Sequence, residues 1–331
     1  MESKIYNTVW IAWERHRRTM ELCRYLGIEP VIFESSLPRI FKHPWFVVRS
    51  ILTLINKRPR VLVVQNPSIL LAWLMCLMKP IVGYYLVVDA HNGGIIPDYA
   101  LGKKVKFVYD FCQKRADVTI VTNRFLAQVV RANKGNPFVL PDRLPDVEPN
   151  LNNYDVKGDI NILCVCTFEL DEPYLEIFEA AKLLPSGIKI YVTGRYQKLN
   201  FAILDSCSDV IVFTGFLSDN DYWALMRRVD LVIDLTYRED CMVCGAYEAV
   251  SLAKPLILSS TIALREYFSK GAIFTDNKAQ YIHAAIITSI GQLDKLKEES
   301  REMRDSLKEK WNEQGKKLVE ILTDYEKGKK S

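Results

Sequence analysis

Short apolar runs alternate with amphipathic segments along most of the chain. The runs are continuous, without a regular alternation of apolar and polar residues, which is typical of strands buried on both faces of a parallel sheet. They predict strands at residues 8–12, 31–33, 61–65, 84–89, 118–122 and 138–140, and then at 160–166, 189–193, 210–214, 231–235, 255–258 and 272–274. Helical patterns separate them, for example at 18–25, 69–78, 101–115, 173–183 and 222–229. This alternation predicts a doubly wound α/β fold with two Rossmann-like parallel sheets.

The segment 141–159 interrupts the alternation. It holds three prolines, several Asn and Asp residues and no periodic apolar positions, which is typical of a linker. We therefore predict a first domain over residues 1–150 and a second over 151–290, facing each other across a cleft. Residues 291–331 form a charged helical pattern with an apolar stripe. That helix either lies solvated on the surface or packs back towards the first domain.

Basic and acidic residues are unevenly distributed between the two halves of the chain. Residues 1–150 contain 21 Lys and Arg and 12 Asp and Glu, a net charge of +9, whereas residues 151–331 contain 23 and 28, a net charge of −5. A basic first half favours an anionic partner, such as nucleic acid, a phospholipid surface or a phosphorylated substrate. Because the sequence has no aromatic and basic stripe or known nucleic-acid-binding module, nucleic acid is not expected as a partner.

The cysteine content and the apolar segments bear on the compartment. Eight cysteines in 331 residues do not make a disulfide scaffold. The polar start of the chain lacks the apolar core of a signal peptide, so we expect a cytoplasmic protein. The stretch 68–88 is interrupted by Lys79, Pro80 and Gly83, which predicts a helix followed by a strand instead of a membrane span.

The segment 36–60 surrounds an apolar run with basic residues. With Pro44 as a helix start and Arg49, Thr53 and Asn56 on one polar face, the pattern is that of an interfacial helix on an anionic leaflet. Peripheral membrane binding by the first domain, close to a lipid-linked acceptor, is one interpretation. An ordinary helix that packs its apolar face on the sheet is the other.

Open α/β sheets bind ligands at the carboxyl ends of their strands, so polar residues that follow a strand are site candidates. After the strand at 231–235, Asp240 lies in a loop and Glu248, with seven residues between them, lies on a helix that begins at about Gly245. The N-terminus of that helix offers amide groups and a positive dipole end to a phosphate. Carboxylates for sugar hydroxyls beside an amide cradle for phosphate fit a sugar nucleotide.

Two polar clusters at strand ends are candidates in the first domain. The cluster after the first strand suits a phosphate or an acidic sugar, although a solvated helix start is the alternative. The cluster after the fourth strand is followed by two glycines, which permit close approach of a ligand. The members are His16, Arg17 and Arg18 in the first cluster and Asp89, His91 and Asn92 in the second.

The motif around Asp240 and Glu248 resembles that of retaining glycosyltransferases of GT-B fold, in which two glutamates separated by seven residues precede a helix and a Gly-Lys-Pro. The resemblance implies that Glu248 binds the ribose hydroxyls and that Asp240, or its neighbour Glu239, contacts the donor sugar. It also implies that Gly245 and Ala246 present backbone amides.

The sequence departs from that family in three respects. The first acid is Asp, Cys241–Val243 replaces the usual Gly-Phe-Gly turn, and the common Lys and Arg pair is not evident. Arg195 and Lys198, which follow Thr193 and Gly194, could supply the positive charge for a pyrophosphate.

A second resemblance covers more of the chain. Segments 64–68, 88–93, 167–173 and 192–194 are similar to the β-mannosyltransferases that extend dolichol-linked chitobiose, which also have the GT-B fold but invert the anomeric configuration. Thr167 and Gly194 therefore join the expected donor-binding residues.

The expected function is transfer of a hexosyl group from a UDP- or GDP-sugar to a glycan or a lipid-linked saccharide. An inverting route would use His91, with Asp89 nearby, as general base, and a retaining route would need no such base. No metal or other cofactor is expected, because small turn residues explain Cys241 and Cys244 better than a zinc half-site does. The alternative is a non-catalytic nucleotide- or sugar-binding subunit that requires a partner.

Overall fold

The computed structural model describes residues 5, 7–66, 68–97, 102–147 and 152–328. Its strands form two parallel sheets of six strands each, which confirms the predicted doubly wound α/β fold. Each predicted strand is present, with ends within about two residues of the prediction. The apolar runs are continuous because these strands are covered on both faces, so that a strand such as Val61–Asn66 is buried along its whole length.

The first sheet has the strand order β2-β1-β3-β4-β5-β6. Its strands are β1 Thr8–Ala12, β2 Val31–Ile32, β3 Val61–Asn66, β4 Tyr85–Ala90, β5 Val118–Val121 and β6 Pro137–Val139. Its helices are α1 Arg17–Leu26, α2 Arg39–Lys57, α3 Ile69–Val82, α4 Asn92–Ile95, α5 Gly102–Arg115 and α6 Arg124–Ala132. Because β2 and β3 lie on opposite sides of β1, the strand order reverses between β1 and β3, where open sheets bind ligands.

The start of α2 differs from the sequence-based expectation. The helix begins at Arg39 and contains Pro44, which we expected to be its first residue. Proline has no N–H group, so Pro44, the sixth residue of the helix, leaves the carbonyl of Ile40 without its intrahelical donor.

The second sheet has the strand order β12-β11-β10-β7-β8-β9, which reverses between β7 and β10. Its strands are β7 Ile160–Cys164, β8 Ile188–Thr193, β9 Ile211–Gly215, β10 Leu231–Asp234, β11 Leu256–Ser259 and β12 Ala272–Thr275. The helices are α7 Tyr174–Ala181, α8 Phe201–Asp205, α9 Asp219–Arg228, α10 Cys244–Ser251, α11 Ile262–Tyr267, α12 Ala279–Gly291 and α13 Leu293–Glu326, with a 3-10 turn at Tyr196–Lys198.

The chain divides into two compact units. Residues 1–143 with 310–331 form the first unit, and residues 144–309 form the second. The sequence predicts the boundary at 150–151, but Leu144 is already buried in the core of the second unit.

Helix α13 contributes to the core of both units. Met303 and Leu307 are buried in the second unit. Trp311, Leu318 and Leu322 are buried in the first, on the face of the sheet that also packs α1. The apolar stripe of α13 is therefore a core element along its length.

Candidate functional site

A buried carboxyl group closes the N-terminus of α10. Asp234 is the last residue of β10, and its Oδ2 atom accepts a hydrogen bond from the Ala246 amide at 3.1 Å. A Cβ atom at Gly245 would lie 2.6 Å from the same oxygen, so the carboxyl group reaches the helix only because this residue is glycine. We expected the amide of Ala246 to be presented to a ligand, but in this structure it is bonded to Asp234.

Burial raises the pKa of Asp234 well above its ordinary value, and the carboxylates of Glu248 and Glu172 raise it further. The amides at the start of α10 act in the opposite direction without offsetting burial. Asp234 therefore remains a neutral carboxylic acid to a higher pH than an exposed aspartate does.

Glu248 lies on α10, as predicted, and is half-buried. Its Oε2 atom accepts a hydrogen bond of 2.6 Å from the hydroxyl group of Tyr222, which comes from α9. Burial raises the pKa of Tyr222 well above its ordinary value, and the charge of Glu248 adds to this. The tyrosine hydroxyl is thus a permanent donor that orients the Glu248 carboxylate.

The loop between β10 and α10 carries the other predicted acids. The Asp240 side chain is largely covered, and its Oδ1 atom lies 3.7 Å from Nε of Arg238. Glu239 is exposed. Asp240 and Glu248 therefore lie on consecutive elements at the carboxyl edge of the second sheet, in the order that the sequence predicts.

The loop after β7 folds around the carboxylate of Glu172. This group accepts hydrogen bonds from the amide of Thr167 at 2.9 Å, the hydroxyl of Thr167 at 2.9 Å and the amide of Glu169 at 3.1 Å. Phe168, between them, has a φ of +61°, which is rare for a residue other than glycine. The amides of Thr167 and Glu169, aimed at one carboxylate, form an anion-binding concavity that this chain fills with its own side chain.

Gly194 ends β8 beside this loop. Its φ is +95°, and a Cβ atom here would collide with the carbonyl oxygen of Cys166. Only glycine therefore lets β8 approach the loop after β7 this closely.

The two basic residues that follow Gly194 are at the predicted edge of the sheet. Lys198 pairs with Glu169 at 2.6 Å, and its Nζ atom also donates to the carbonyl of Thr167 at 3.1 Å. The guanidinium of Arg195 lies over the exposed ring of Phe216, 5.5 Å from its centroid. The loops after β7, β8 and β9 thus carry both charges and an accessible aromatic face.

In the first unit, Arg18 is the centre of a buried ion cluster. Its Nε donates to Asp89 at 2.9 Å, its Nη1 to Asp142 at 2.5 Å and its Nη2 to the carbonyl of Leu140 at 2.9 Å. Burial alone would raise the pKa of Asp142, but the Arg18 charge holds it below its ordinary value. We expected Arg18 to contact the acceptor; in the structure its guanidinium is committed to these partners.

His16 and His91 meet at the carboxyl edge of the first sheet. Their ring centroids are 4.6 Å apart, and the rings are edge to face. Nδ1 of His16 and Nε2 of His91 are buried without a hydrogen-bond partner among the described residues. Burial lowers the pKa of His91, and the nearby Arg18 charge lowers it further, so His91 is a neutral imidazole at neutral pH.

Buried amide side chains end the neighbouring strand β3, and the backbone carbonyl of Asn66 accepts a hydrogen bond of 2.9 Å from the His91 amide. Gln65, in register with Asp89 on the next strand, has neither polar atom of its side chain bonded within the described part of the chain. Asn66 donates to the carbonyl of Gly94 at 2.9 Å, but its Oδ1 atom is buried without a partner there. Buried polar atoms without partners are rare in native proteins and commonly await a ligand or a water molecule.

Gly94, the second glycine after the fourth strand, leaves room for a side chain of the protein itself. A Cβ atom at Gly94 would lie 2.6 Å from the side chain of Asn66. Only glycine therefore leaves space for the Asn66 side chain against α4. Asn92 is the first residue of α4. Arg17 is exposed and pairs with Glu21 along α1 at 2.9 Å.

Neither a metal site nor a redox pair stands out in the described residues. Within them, no group of three or more His, Cys, Asp or Glu side chains could hold a metal ion. Burial raises the pKa of Cys241 to about 11, and all eight cysteines are free. The Cys241 thiol is therefore protonated at neutral pH.

The sequence analysis did not single out several residues that lie at the carboxyl edges of the two sheets. Asp234, Gln65 and Asn66 carried a usable signal, since each is a polar residue at the end of an otherwise apolar strand. Tyr222 carried none, because its bond to Glu248 joins two helices 26 residues apart in the chain.

No protein-family model matches the chain, and no curated protein sequence matches it. Solved structures nevertheless share its fold over nearly the whole length. Sucrose-phosphate synthase of Thermosynechococcus elongatus aligns with a TM-score of 0.75 at 14% identity, over 96% of this chain and 99% of that one. HepE of Anabaena, solved in complex with UDP, aligns with a TM-score of 0.73 at 12% identity, over 96% of this chain and 100% of that one.

A protein of Listeria monocytogenes described as a UDP-N-acetylglucosamine 2-epimerase is also similar. It aligns with a TM-score of 0.64 at 12% identity, over 98% of each chain. Two parallel six-stranded sheets and these alignments agree with the resemblance found in the sequence: the chain has the GT-B fold.

Proposed function

We propose that the protein is a glycosyltransferase that transfers a hexosyl group from a UDP- or GDP-sugar to a glycan or a lipid-linked saccharide. The observation that carries this proposal is the position of Glu248, on the helix after β10 next to the point where the strand order reverses. HepE, which has the same fold, has been solved with UDP and with UDP-glucose. In this proposal Glu248 binds the ribose hydroxyls and Asp240, or Glu239, contacts the donor sugar.

Arg195 and Lys198 are proposed to meet the negative charge of the leaving diphosphate, together with Thr167, Gly194, Gly245 and Ala246 as backbone contacts. Asp234 and Glu172 currently accept several of these amide hydrogens. Arg195 and Lys198 therefore stabilise the negative charge of the diphosphate more than the N-terminus of α10 does. We propose that the reaction needs no metal ion.

The acceptor is proposed to bind at the first unit, through His16, Arg17 and Asn92 and through the unpartnered polar atoms of Gln65 and Asn66 Oδ1. A neutral imidazole is the form of histidine that can accept a proton, so burial keeps His91 competent as a general base at neutral pH. Asp89 is bonded to Arg18, and it acts on His91 by its charge. Eight free cysteines are consistent with the reducing cytoplasm that we propose as the compartment.

One observation favours the second candidate function, a non-catalytic nucleotide or sugar binder. Internal carboxylates occupy amides at the loop after β7 and at α10, which are the places where a diphosphate would be held. A chain that has lost transfer could keep the fold and a weaker sugar site.

The test is an assay of purified protein over a panel of UDP- and GDP-sugars, with transfer, hydrolysis and epimerisation read separately by product analysis. Transfer or slow hydrolysis of one donor, lost in Glu248→Ala, supports the proposal. Donor binding without turnover supports the non-catalytic alternative. Epimerisation of a nucleotide sugar without transfer would contradict both.

A further inference from the structure

Three neighbouring helices of the first unit present apolar side chains outwards. Helices α2, α3 and α5 cover one face of the first sheet, with Phe46, Met75 and Cys112 among the residues buried beneath them. Helix α3 contacts both α2 and α5. We call their outer side the three-helix surface. Its exposed apolar members are Ile40, Phe41, Trp45, Val48, Leu52 and Ile55 on α2, Leu70, Trp73, Leu77 and Ile81 on α3, and Phe107 and Phe111 on α5.

These apolar side chains are largely exposed and are not partly buried members of the hydrophobic core. Ile40 is 80% exposed, Ile81 76% and Phe107 69%. Leu70, Trp73, Leu77 and Ile81 recur every three or four residues, so they form one stripe along the outward side of α3. An apolar surface on this scale marks an interaction site in a folded protein.

The charges around the three-helix surface are almost all positive. Among the side chains that the structure describes, Lys and Arg number three in α2, one in α3 and three in α5, against a single acid, Asp110, which pairs with Lys106. Lys57 and Lys114 are exposed. The opposite side of the same unit is different, because the outer side of α13 carries both signs, as at Lys316 and Glu320.

We propose that the three-helix surface docks on an anionic lipid bilayer, with its apolar side chains inserted at the level of the headgroups. Basic residues around exposed Trp and Phe match an interfacial protein, since cations meet anionic headgroups and aromatic rings favour the interface. No described helix is long and apolar enough to cross a membrane, so the surface lies on the bilayer.

A second copy of the chain is a poorer occupant. A symmetric pairing through this surface would bring the same basic residues of both copies together, and like charges across an interface cost binding free energy. An anionic bilayer instead neutralises them.

The test is co-sedimentation of the full chain, without nucleotide, with phosphatidylcholine vesicles that contain or lack phosphatidylglycerol. The apolar variant Ile40→Ser/Ile81→Ser/Phe107→Ser should lower the partition coefficient at least about tenfold, because each substitution withdraws several CH₂ equivalents. The charge variant Lys57→Glu/Lys114→Glu should lower it about tenfold or more on phosphatidylglycerol vesicles only.

Matched controls lie elsewhere on the molecule. Leu183→Ser/Phe201→Ser removes exposed apolar side chains from the second unit, and Lys316→Glu/Lys317→Glu reverses charges on α13. Both should bind vesicles like the wild type.

Equal binding to vesicles with and without phosphatidylglycerol would overturn the proposal, as would an apolar variant that binds normally. A stable wild-type dimer that the apolar variant abolishes would assign the surface to a second copy instead. Because no donor is present, none of these results depends on the proposed transfer activity.

Discussion

The hydroxyl group of Tyr222 donates a hydrogen bond of 2.6 Å to Oε2 of Glu248, and this bond joins α9 to α10. It orients the carboxylate that we assign to the ribose of the donor. A positioned carboxylate loses less entropy on binding than a mobile one, so we expect Tyr222 to contribute to donor affinity without touching the nucleotide.

The first prediction separates the two side chains of this pair. Glu248→Ala should weaken UDP or GDP binding about ten- to hundredfold, since charge-assisted hydrogen bonds contribute roughly 1.5–3 kcal/mol. Tyr222→Phe should weaken it about two- to tenfold, because it removes only the orienting bond. Calorimetric titration measures both, with Tyr281→Phe on α12 as the control. Unchanged affinity of Glu248→Ala for every nucleotide would remove Glu248 from the donor site.

The fold could be predicted from sequence because it depends on local pattern. Most strands of the two sheets are short, mainly apolar runs, which is typical of strands buried on both faces. The start of α2 was missed because Pro44 is tolerated inside the first turns of a helix, which sequence alone cannot separate from a helix start.

The candidate site could be predicted only in part, because its side chains are paired by tertiary contacts. The alternation of strands and helices was enough to place Asp240 and His91 after strands and Glu248 on the helix that follows. Arg18 looked like a ligand-binding residue, since sequence does not reveal that Asp89 and Asp142 enclose it. Charges that look free in a sequence are often neutralised by partners far along the chain.

The second prediction concerns the stability of the Arg18 cluster. Arg18→Met leaves Asp89 and Asp142 without their shared cation, and removing one partner of a buried ion cluster costs roughly 3–5 kcal/mol of unfolding free energy. Arg17→Met, one residue earlier, removes only a surface pair and should cost less than about 1 kcal/mol. Urea denaturation followed by circular dichroism measures both. Equal effects of the two substitutions would show that the cluster does not stabilise the first unit.

The third prediction is the titration of His91. Its folded pKa lies below 6.5 because of burial and the charge of Arg18, opposed by Asp89 and Asp142, so its contribution to stability is complete above pH 6.5 and falls as the pH drops below that value. The electrostatic effect of His16 also lowers this pKa, so His16→Gln should raise it. Imidazole proton shifts in NMR, with His283 as an internal reference, measure the change. A wild-type His91 that titrates at or above 6.5 would contradict this account.

The fourth prediction follows from the raised pKa of Asp234. Its folded pKa exceeds the unfolded value of 3.8, so its contribution to stability is complete below pH 3.8 and is lost as the pH rises through the folded pKa. Asp234→Asn keeps an oxygen for the Ala246 amide but cannot ionise. The melting temperature of Asp234→Asn should therefore rise relative to that of the wild type as the pH increases. The same substitution at an exposed aspartate, Asp209→Asn, should show no such trend. A gain that is constant with pH would mean that Asp234 does not titrate in this range.

The fifth prediction decides the role of His91. As a general base, His91 would take the proton of the acceptor hydroxyl while the sugar is transferred, and its loss should lower turnover about 10²–10⁴-fold. If it only donates or accepts a hydrogen bond to a sugar hydroxyl, a bond of roughly 0.5–1.5 kcal/mol is lost and turnover should fall about tenfold or less. Turnover of His91→Ala with a saturating donor distinguishes the two, with donor affinity as the folding control and His283→Ala as the matched histidine. In the first case the acid limb of the wild-type pH profile should also have its midpoint below 6.5, because burial lowers the pKa of His91. Turnover equal to that of the wild type would exclude both roles and leave the side chain of Gln65 and the Oδ1 atom of Asn66 as the groups to test for acceptor binding.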